Sequence, residues 1–239
     1  MKKFFLFIAA IALMLPNAVR AEDIFNHLGV GAHVATTGFG FEVASPITKY
    51  VTARAGVTIM PGITFNTDVE GYFDTGYGDQ EFEMKLKGNL SRVQGSLIFN
   101  VYPFPSKTFY VAAGAYFGGS KVIKITGHSD EIATMSNDNP YVEVGEYKLP
   151  VDKNGNVDGG IKVNGFRPYF GIGFGRPVPK HRISVSGELG VQLHGTPKLY
   201  TNIGELEGLK EASDDDFQDI MDKLTVYPVL KITINGRIF

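Results

Sequence analysis

The chain contains no cysteine and no tryptophan. Without cysteine no disulfide can form, so an exported form of this chain must be held together by hydrogen bonds and packing. After the first 21 residues there is also no apolar run long enough to cross a membrane as a helix. Positive charge is not in excess, with 23 Lys and Arg against 25 Asp and Glu, which argues against a nucleic-acid partner.

The N-terminal segment has the three parts of a secretory signal peptide. A pair of lysines follows the initiator methionine, an apolar stretch occupies residues 4–15, and small residues lead up to Ala21. The apolar stretch is too short to span a bilayer. We therefore expect cleavage after Ala21, which makes residues 1–21 the signal peptide and residues 22–239 one mature domain. Cleavage removes three basic residues and no acidic one, so the formal charge changes from −2 to −5.

Alternation of apolar and polar side chains recurs through the mature chain and predicts β-strands. The clearest example is the segment 165–195, in which two alternating stretches flank a turn with prolines, as in a β-hairpin. In its second stretch Val185 and Leu189 share one face, and Glu188 lies on the other. Eight such stretches occur, near residues 28–35, 39–44, 51–59, 92–102, 109–117, 169–175, 183–194 and 230–238.

The connections between these stretches are sorted by length. Short turns that combine proline with lysine or arginine follow the second, fourth and sixth stretches, and long polar connections follow the third, fifth and seventh. A membrane barrel with both chain ends on one side has this arrangement, because one rim carries turns and the other carries loops. Two long connections span about residues 66–87 and 127–160, the second with an Asn154-Gly155 hairpin signal. The third contains a predicted short helix near residues 213–224, where Ser213 is the N-cap.

These patterns predict an all-β fold: an eight-stranded antiparallel up-and-down transmembrane β-barrel with three long extracellular loops, one carrying a short helix. The apolar face is assigned to lipid because it has no charge in the middle of any strand. A closed barrel of eight strands has room inside for side chains only, so the other face is expected to form a packed polar interior. The predicted interior network consists of His33, Glu42, Arg54, Arg92, Arg167, Glu188, Lys231 and Arg237.

If the apolar face instead pointed inward and the polar face faced water, the chain would be an exported lipocalin-like barrel that holds an apolar ligand inside. The polar face is rich in Gly, Ser and Thr rather than in Lys and Glu, which favours the membrane barrel. A narrow pore is a further alternative, and it requires the interior charges to move aside.

The signal peptide, the eight amphipathic strands, the sorted loops and the terminal Phe239 together resemble the small outer-membrane β-barrel family, which includes the OmpA and OmpX barrels. The resemblance covers nearly all of the mature chain. It implies a location in the outer membrane, with outer-membrane lipid, lipopolysaccharide and the barrel assembly machinery as partners. In that family the terminal aromatic residue continues the lipid-facing alternation, whereas here Ile238 holds that phase.

Some barrels of this size modify lipid A, so possible catalytic groups require attention. Glu188 and His194 lie on one face, but at about 3.3 Å per residue they are roughly 20 Å apart, too far for a catalytic pair. The residues after His194 also lack the His-x-Ser arrangement of lipid A deacylases. Segment 152–159 resembles a calcium loop, but Gly165 stands where a bidentate glutamate is required. We therefore expect no enzyme, no cofactor and no metal site.

The sequence thus predicts a non-enzymatic outer-membrane barrel that presents long surface loops in a structural, envelope-integrity or adhesion role. An extracellular ligand is expected to bind through the loops. Candidates for contact with it are chosen by location alone: Asp68, Tyr72, Tyr77, Tyr141 and Phe217.

Overall fold

A computed structural model describes residues 27–74, 79–129, 141–144, 147–202 and 225–238. The predicted signal peptide, Tyr77, Phe217, the predicted helix at 213–224 and Phe239 lie outside the described residues. Every regular element within the described ranges is a β-strand. No helix long and apolar enough to cross a membrane occurs among these residues.

The described chain forms thirteen strands, all in one sheet. In chain order they are β1 (Gly29–Ala35), β2 (Gly38–Pro46), β3 (Val51–Asp74), β4 (Asp79–Val101), β5 (Phe109–Phe117), β6 (Lys121–His128), β7 (Tyr141–Val144), β8 (Tyr147–Pro150), β9 (Asn156–Lys162), β10 (Phe166–Phe174), β11 (Ile183–Leu193), β12 (Lys198–Thr201) and β13 (Val226–Arg237).

Eight of these strands close into a barrel. Each pairs antiparallel with its neighbours in the order β1, β2, β3, β4, β5, β10, β11 and β13. The ring closes because β13 pairs back onto β1, from Gly29↔Arg237 to Ala35↔Lys231. The predicted eight-stranded antiparallel barrel is confirmed, and closure leaves no free edge within its wall.

The two ends of the barrel differ as the connection lengths predict. Short turns at residues 47–50, 102–108 and 175–182 lie at one end, together with the start of β1 and the end of β13. We call this the turn end and the opposite end the loop end. Along β11 burial alternates residue by residue from Val185 to Leu193, as expected for a strand with one face inside the barrel.

The connection predicted between β3 and β4 is wrong in its extent. Residues 66–74 and 79–87 are strand rather than loop, because β3 and β4 stay paired far beyond the barrel, out to Asp74↔Asp79. The register shifts between Met60 and Ile63, where a bulge separates the barrel part of β3 from its extension.

Further strands join this extension and build a second layer of structure at the loop end. On one side β6 pairs with β4, β9 with β6, and β12 with β9. On the other side β7 pairs with β3 and β8 with β7. We call these five added strands, together with the extensions of β3 and β4, the outer sheet. They enclose a small hydrophobic core of their own, made of Met84, Leu86, Val142, Leu149, Val151 and Val157.

The segment 127–160, predicted as a polar connection with a small hairpin, contains the β7–β8 hairpin. The Asn154-Gly155 dipeptide forms the next turn, between β8 and β9. Gly155 has a φ of 75°, and its N–H donates to the Asp152 carbonyl at 2.9 Å. Glycine is favoured here because residues with a Cβ rarely adopt this left-handed conformation.

Candidate functional site

Four charged side chains from four strands meet in the middle of the barrel. We call Glu42, Arg54, Glu188 and Lys231 the four-charge cluster; each is at least 95% buried. Arg54 donates to Glu42 at 3.3 Å and to Glu188 at 2.5 Å. Lys231 lies 3.1 Å from Glu42 and 3.6 Å from Glu188. Two acids and two bases therefore balance, which buried charges require.

The barrel register explains why these residues meet. Glu188 and Lys231 are direct cross-strand partners on β11 and β13. Glu42 lies opposite Gly56 on β3, and the missing side chain there leaves space for the side chain of Glu42. A Cβ added to Gly56 would lie 2.9 Å from the Glu42 Cβ, closer than real side chains pack.

Two tyrosines complete the hydrogen bonding of Glu188. The hydroxyl of Tyr110 donates to one carboxylate oxygen at 2.9 Å, and that of Tyr169 donates to the other at 2.7 Å. Both rings are fully buried, and they lie against glycines, Tyr110 on Gly173 and Tyr169 on Gly190. Both tyrosines lie on the polar, inward-facing side of the alternation in the stretches 109–117 and 169–175, but the predicted network does not include them.

His33 lies at the edge of the cluster rather than at its centre. Its Nε2 is 3.0 Å from the hydroxyl of Thr58, and its Nδ1 is 3.9 Å from Glu42. Gly40 again provides the space, since a Cβ there would lie 2.9 Å from the imidazole Nε2.

Arg92 and Arg167 are buried nearer the loop end and have no carboxylate partner among the described residues. Arg167 donates to the Gln94 side chain at 3.0 Å and to the carbonyls of Gly118 and Asn164 at 2.7 and 2.9 Å. The Arg92 guanidinium lies 5.9 Å from the centre of the Tyr227 ring. These two arginines therefore form a separate polar layer.

Arg237 does not belong to the interior, and its predicted place there is wrong. It is the last residue of β13 and is exposed at the turn end. Its guanidinium donates to the Lys180 carbonyl at 3.3 Å. The alternation has the right phase, but the strand has by then left the barrel interior, so the side chain reaches the rim.

The structure describes three of the five predicted contact residues. Asp68 is exposed on the extension of β3. Tyr72 and Tyr141 are cross-strand neighbours in the pairing of β3 with β7. A local pattern indicates strand here, because Met84 and Leu86 alternate with lysines in the segment that was predicted to be a loop.

Two serines on the same strand as Glu188, Ser184 and Ser186, are engaged in structural hydrogen bonds. Ser186 Oγ accepts from the Asn235 amide at 2.9 Å, and Ser184 Oγ donates to the Arg176 carbonyl at 2.7 Å. Neither contact involves His194. Ser184 and Ser186 therefore do not form with His194 the Ser-His pair that nucleophilic catalysis requires.

The segment that resembles a calcium loop is a tight turn closed by Asp152. One oxygen of its carboxylate accepts from the Asn154 and Asn156 backbone N–H groups at 2.8 and 2.7 Å. Partial burial would raise the pKa of Asp152, but the hydrogen bonds from Asn156 and Asn154 outweigh it and hold that pKa below its usual value. Among the described residues no three His, Asp or Glu side chains are grouped as a metal would need.

The outer surface of the barrel is a continuous apolar belt. Large hydrophobic side chains from all eight strands point outward, and Val34, Phe41 and Ile183 are 69–70% exposed. Soluble monomers rarely expose apolar patches larger than a few hundred Å². A hydrogen-bonded wall with this exterior and a polar interior is suited to lipid, so the fold and its surfaces define a membrane β-barrel.

Comparison with known proteins adds two solved structures. CarO2 from Acinetobacter baumannii is 23% identical, with 88% of this chain and 98% of that chain covered and a TM-score of 0.47. CarO from the same organism is 22% identical, with 87% and 96% covered and a TM-score of 0.47. No protein-family model and no curated protein matches the chain. Similarity at this level assigns no function to the chain.

Proposed function

We propose that this protein is a non-enzymatic outer-membrane β-barrel with a closed interior, which anchors the outer sheet at the cell surface in a structural or envelope-integrity role. The observation that carries the proposal is the four-charge cluster. Its side chains come from β2, β3, β11 and β13, and Tyr110 and Tyr169 extend it to β5 and β10. Side chains from six of the eight wall strands thus meet across the barrel.

The proposed location is supported by the apolar belt together with the predicted signal peptide. An exported chain with an apolar barrel wall requires a membrane, and closed barrels of antiparallel strands are typical of the bacterial outer membrane. The turn end then faces the periplasm and the outer sheet faces the cell exterior, since short turns are periplasmic in such barrels.

A closed interior predicts that the barrel does not conduct ions. The protein refolded into planar lipid bilayers is expected to show no stepwise conductance, because ions would have to displace buried, mutually paired charges. Correct folding in the same preparation is checked by the shift in gel mobility on boiling. Discrete conductance steps from folded wild-type protein would overturn the closed-barrel proposal.

The envelope role is tested in the host bacterium. Deletion of the gene is expected to increase uptake of a hydrophobic dye and sensitivity to detergent, with restoration by the wild-type copy. Lipid A mass spectra are expected to be identical with and without overexpression. A new lipid A species on overexpression would support an enzyme instead.

A further inference from the structure

A groove crosses the outer surface at the boundary between the barrel and the outer sheet. It has a volume of about 590 Å³ and opens to the exterior. It arises because β4 changes its neighbour: the strand pairs with β5 as far as Gly95↔Phe117 and with β6 from Asn89↔Lys124 onward. The bulge between Met60 and Ile63 interrupts the wall on the opposite side of β4.

The lower part of the groove is apolar and belongs to the lipid-facing belt. Ile59 and Val93 line it and are 38% and 57% exposed. They are cross-strand partners on β3 and β4, at the loop end of the barrel wall. A hydrocarbon chain that follows the belt upward therefore reaches the groove without crossing a polar surface.

The upper part of the groove is cationic and rich in hydroxyl groups. Lys121, Lys124, Ser91 and Ser120 line it, and no acidic residue is among the described lining residues. The Lys121 ammonium lies 4.4 Å from the centre of the Tyr200 ring and donates to the Asn202 side-chain oxygen at 3.5 Å, which leaves further N–H donors on the ammonium. Lys124 is exposed, and no described carboxylate lies within ion-pair distance of it.

A third positive charge lies behind the wall of the groove. The aliphatic part of the Arg92 side chain passes beside Gly119, where a Cβ would collide with it. Arg92 is 7% exposed, and its Nε has no hydrogen-bond partner among the described residues. Gly119 has a φ of 55°, so the close passage and the left-handed backbone both favour glycine there.

We propose that this groove binds a phosphate group of a phosphorylated glycolipid in the outer leaflet, with an acyl chain of the same lipid against Ile59 and Val93. Ammonium and hydroxyl donors form charge-assisted hydrogen bonds to phosphate oxygens, and the apolar floor lies directly below. The assignment to the outer leaflet rests on the proposed function, which places the loop end at the cell exterior. A phospholipid offers the same phosphate chemistry and is separated from the glycolipid by the test.

The test measures lipid binding to the full mature chain folded in detergent, with bisphosphorylated lipid A as the probe in native mass spectrometry. Lys124→Glu is expected to weaken binding about tenfold or more, since a charge-assisted contact becomes a repulsion. The matched control, Lys153→Glu, makes the same charge change in the turn between β8 and β9 and should bind as wild type does. Dephosphorylated lipid A should bind wild type at least tenfold more weakly.

Three outcomes would overturn the glycolipid site. They are equal binding by the Lys124→Glu variant and wild type, equal binding of phosphorylated and dephosphorylated lipid A, and equally tight binding of phosphatidylglycerol. Each sample is also checked for the boiling-dependent gel shift and for insertion into liposomes. A folded, inserted barrel that binds no lipid A refutes the groove alone, whereas failure to insert would refute the membrane barrel itself.

Discussion

Replacement of Glu188 by Gln should destabilise the barrel severely, although the two side chains have nearly the same shape. The carboxylate accepts hydrogen bonds from Tyr110, Tyr169 and Arg54 and faces Lys231 at 3.6 Å. The amide removes one negative charge and turns a donor toward other donors, so the two buried cations must share Glu42. Loss of one partner of a buried ion pair costs about 3–5 kcal/mol, and we expect a loss of this size in the free energy of unfolding.

The assay is reversible urea unfolding of protein folded into phospholipid vesicles. Far-UV circular dichroism and the cold-gel shift report folding, since the chain has no tryptophan for fluorescence. The double variant Glu188→Gln/Lys231→Met removes one charge of each sign and should recover most of the lost stability. The reasoning is refuted if the single variant is within about 1 kcal/mol of wild type, or if the double variant is no more stable than the single one.

Three further predictions concern the wall and the outer sheet. Gly173→Ala should cost about 1–3 kcal/mol in urea unfolding because a Cβ would meet the Tyr110 ring, while Gly187→Ala, with nothing within 4 Å of its added Cβ, should cost clearly less. Ile232→Lys, halfway along β13, should cost about 2–4 kcal/mol in vesicles, whereas Ile183→Lys, at the first residue of β11 and near the turn end, should cost about 0–1 kcal/mol. Equal costs would contradict the assigned belt. Asp152→Ala should speed amide hydrogen exchange in the turn before β9 at neutral pH. Because the pKa of Asp152 is lowered, its contribution is present above about pH 4 and is lost as pH falls further, so the variant and wild type should exchange alike in acid.

The barrel was predictable because the alternation of apolar and polar side chains along a strand depends only on residues that are close in the sequence. Val185 and Leu189 point to lipid and Glu188 points inward, as the period of two requires. The same alternation gave a wrong prediction at the end of one strand. Arg237 has the inward phase but lies on the rim, because the alternation does not show where along a strand the interior stops.

The outer sheet was missed for a different reason. Residues 66–87 are rich in glycine and acidic residues, which is the composition of a loop. Met84 and Leu86 nevertheless become buried, because β7, β8 and β9 supply apolar partners from a distant part of the chain. Contacts between residues so far apart in the chain form only in the tertiary structure, so the composition of a short segment does not predict them.

By itself, the sequence determined the eight wall strands, the position of the three short turns, and the alternating phase of the side chains along each strand, because these depend on near neighbours in the chain. Only the tertiary structure decided which charges meet. Glu42 and Lys231 are 189 residues apart and come into contact because β13 closes onto β1 in one register. The pairing of β3 with β4 places the bulge in β3 next to the point where β4 changes its neighbour from β5 to β6, and the groove lies there. Register and closure are set by the whole ring of strands, which is why no single stretch of sequence shows them.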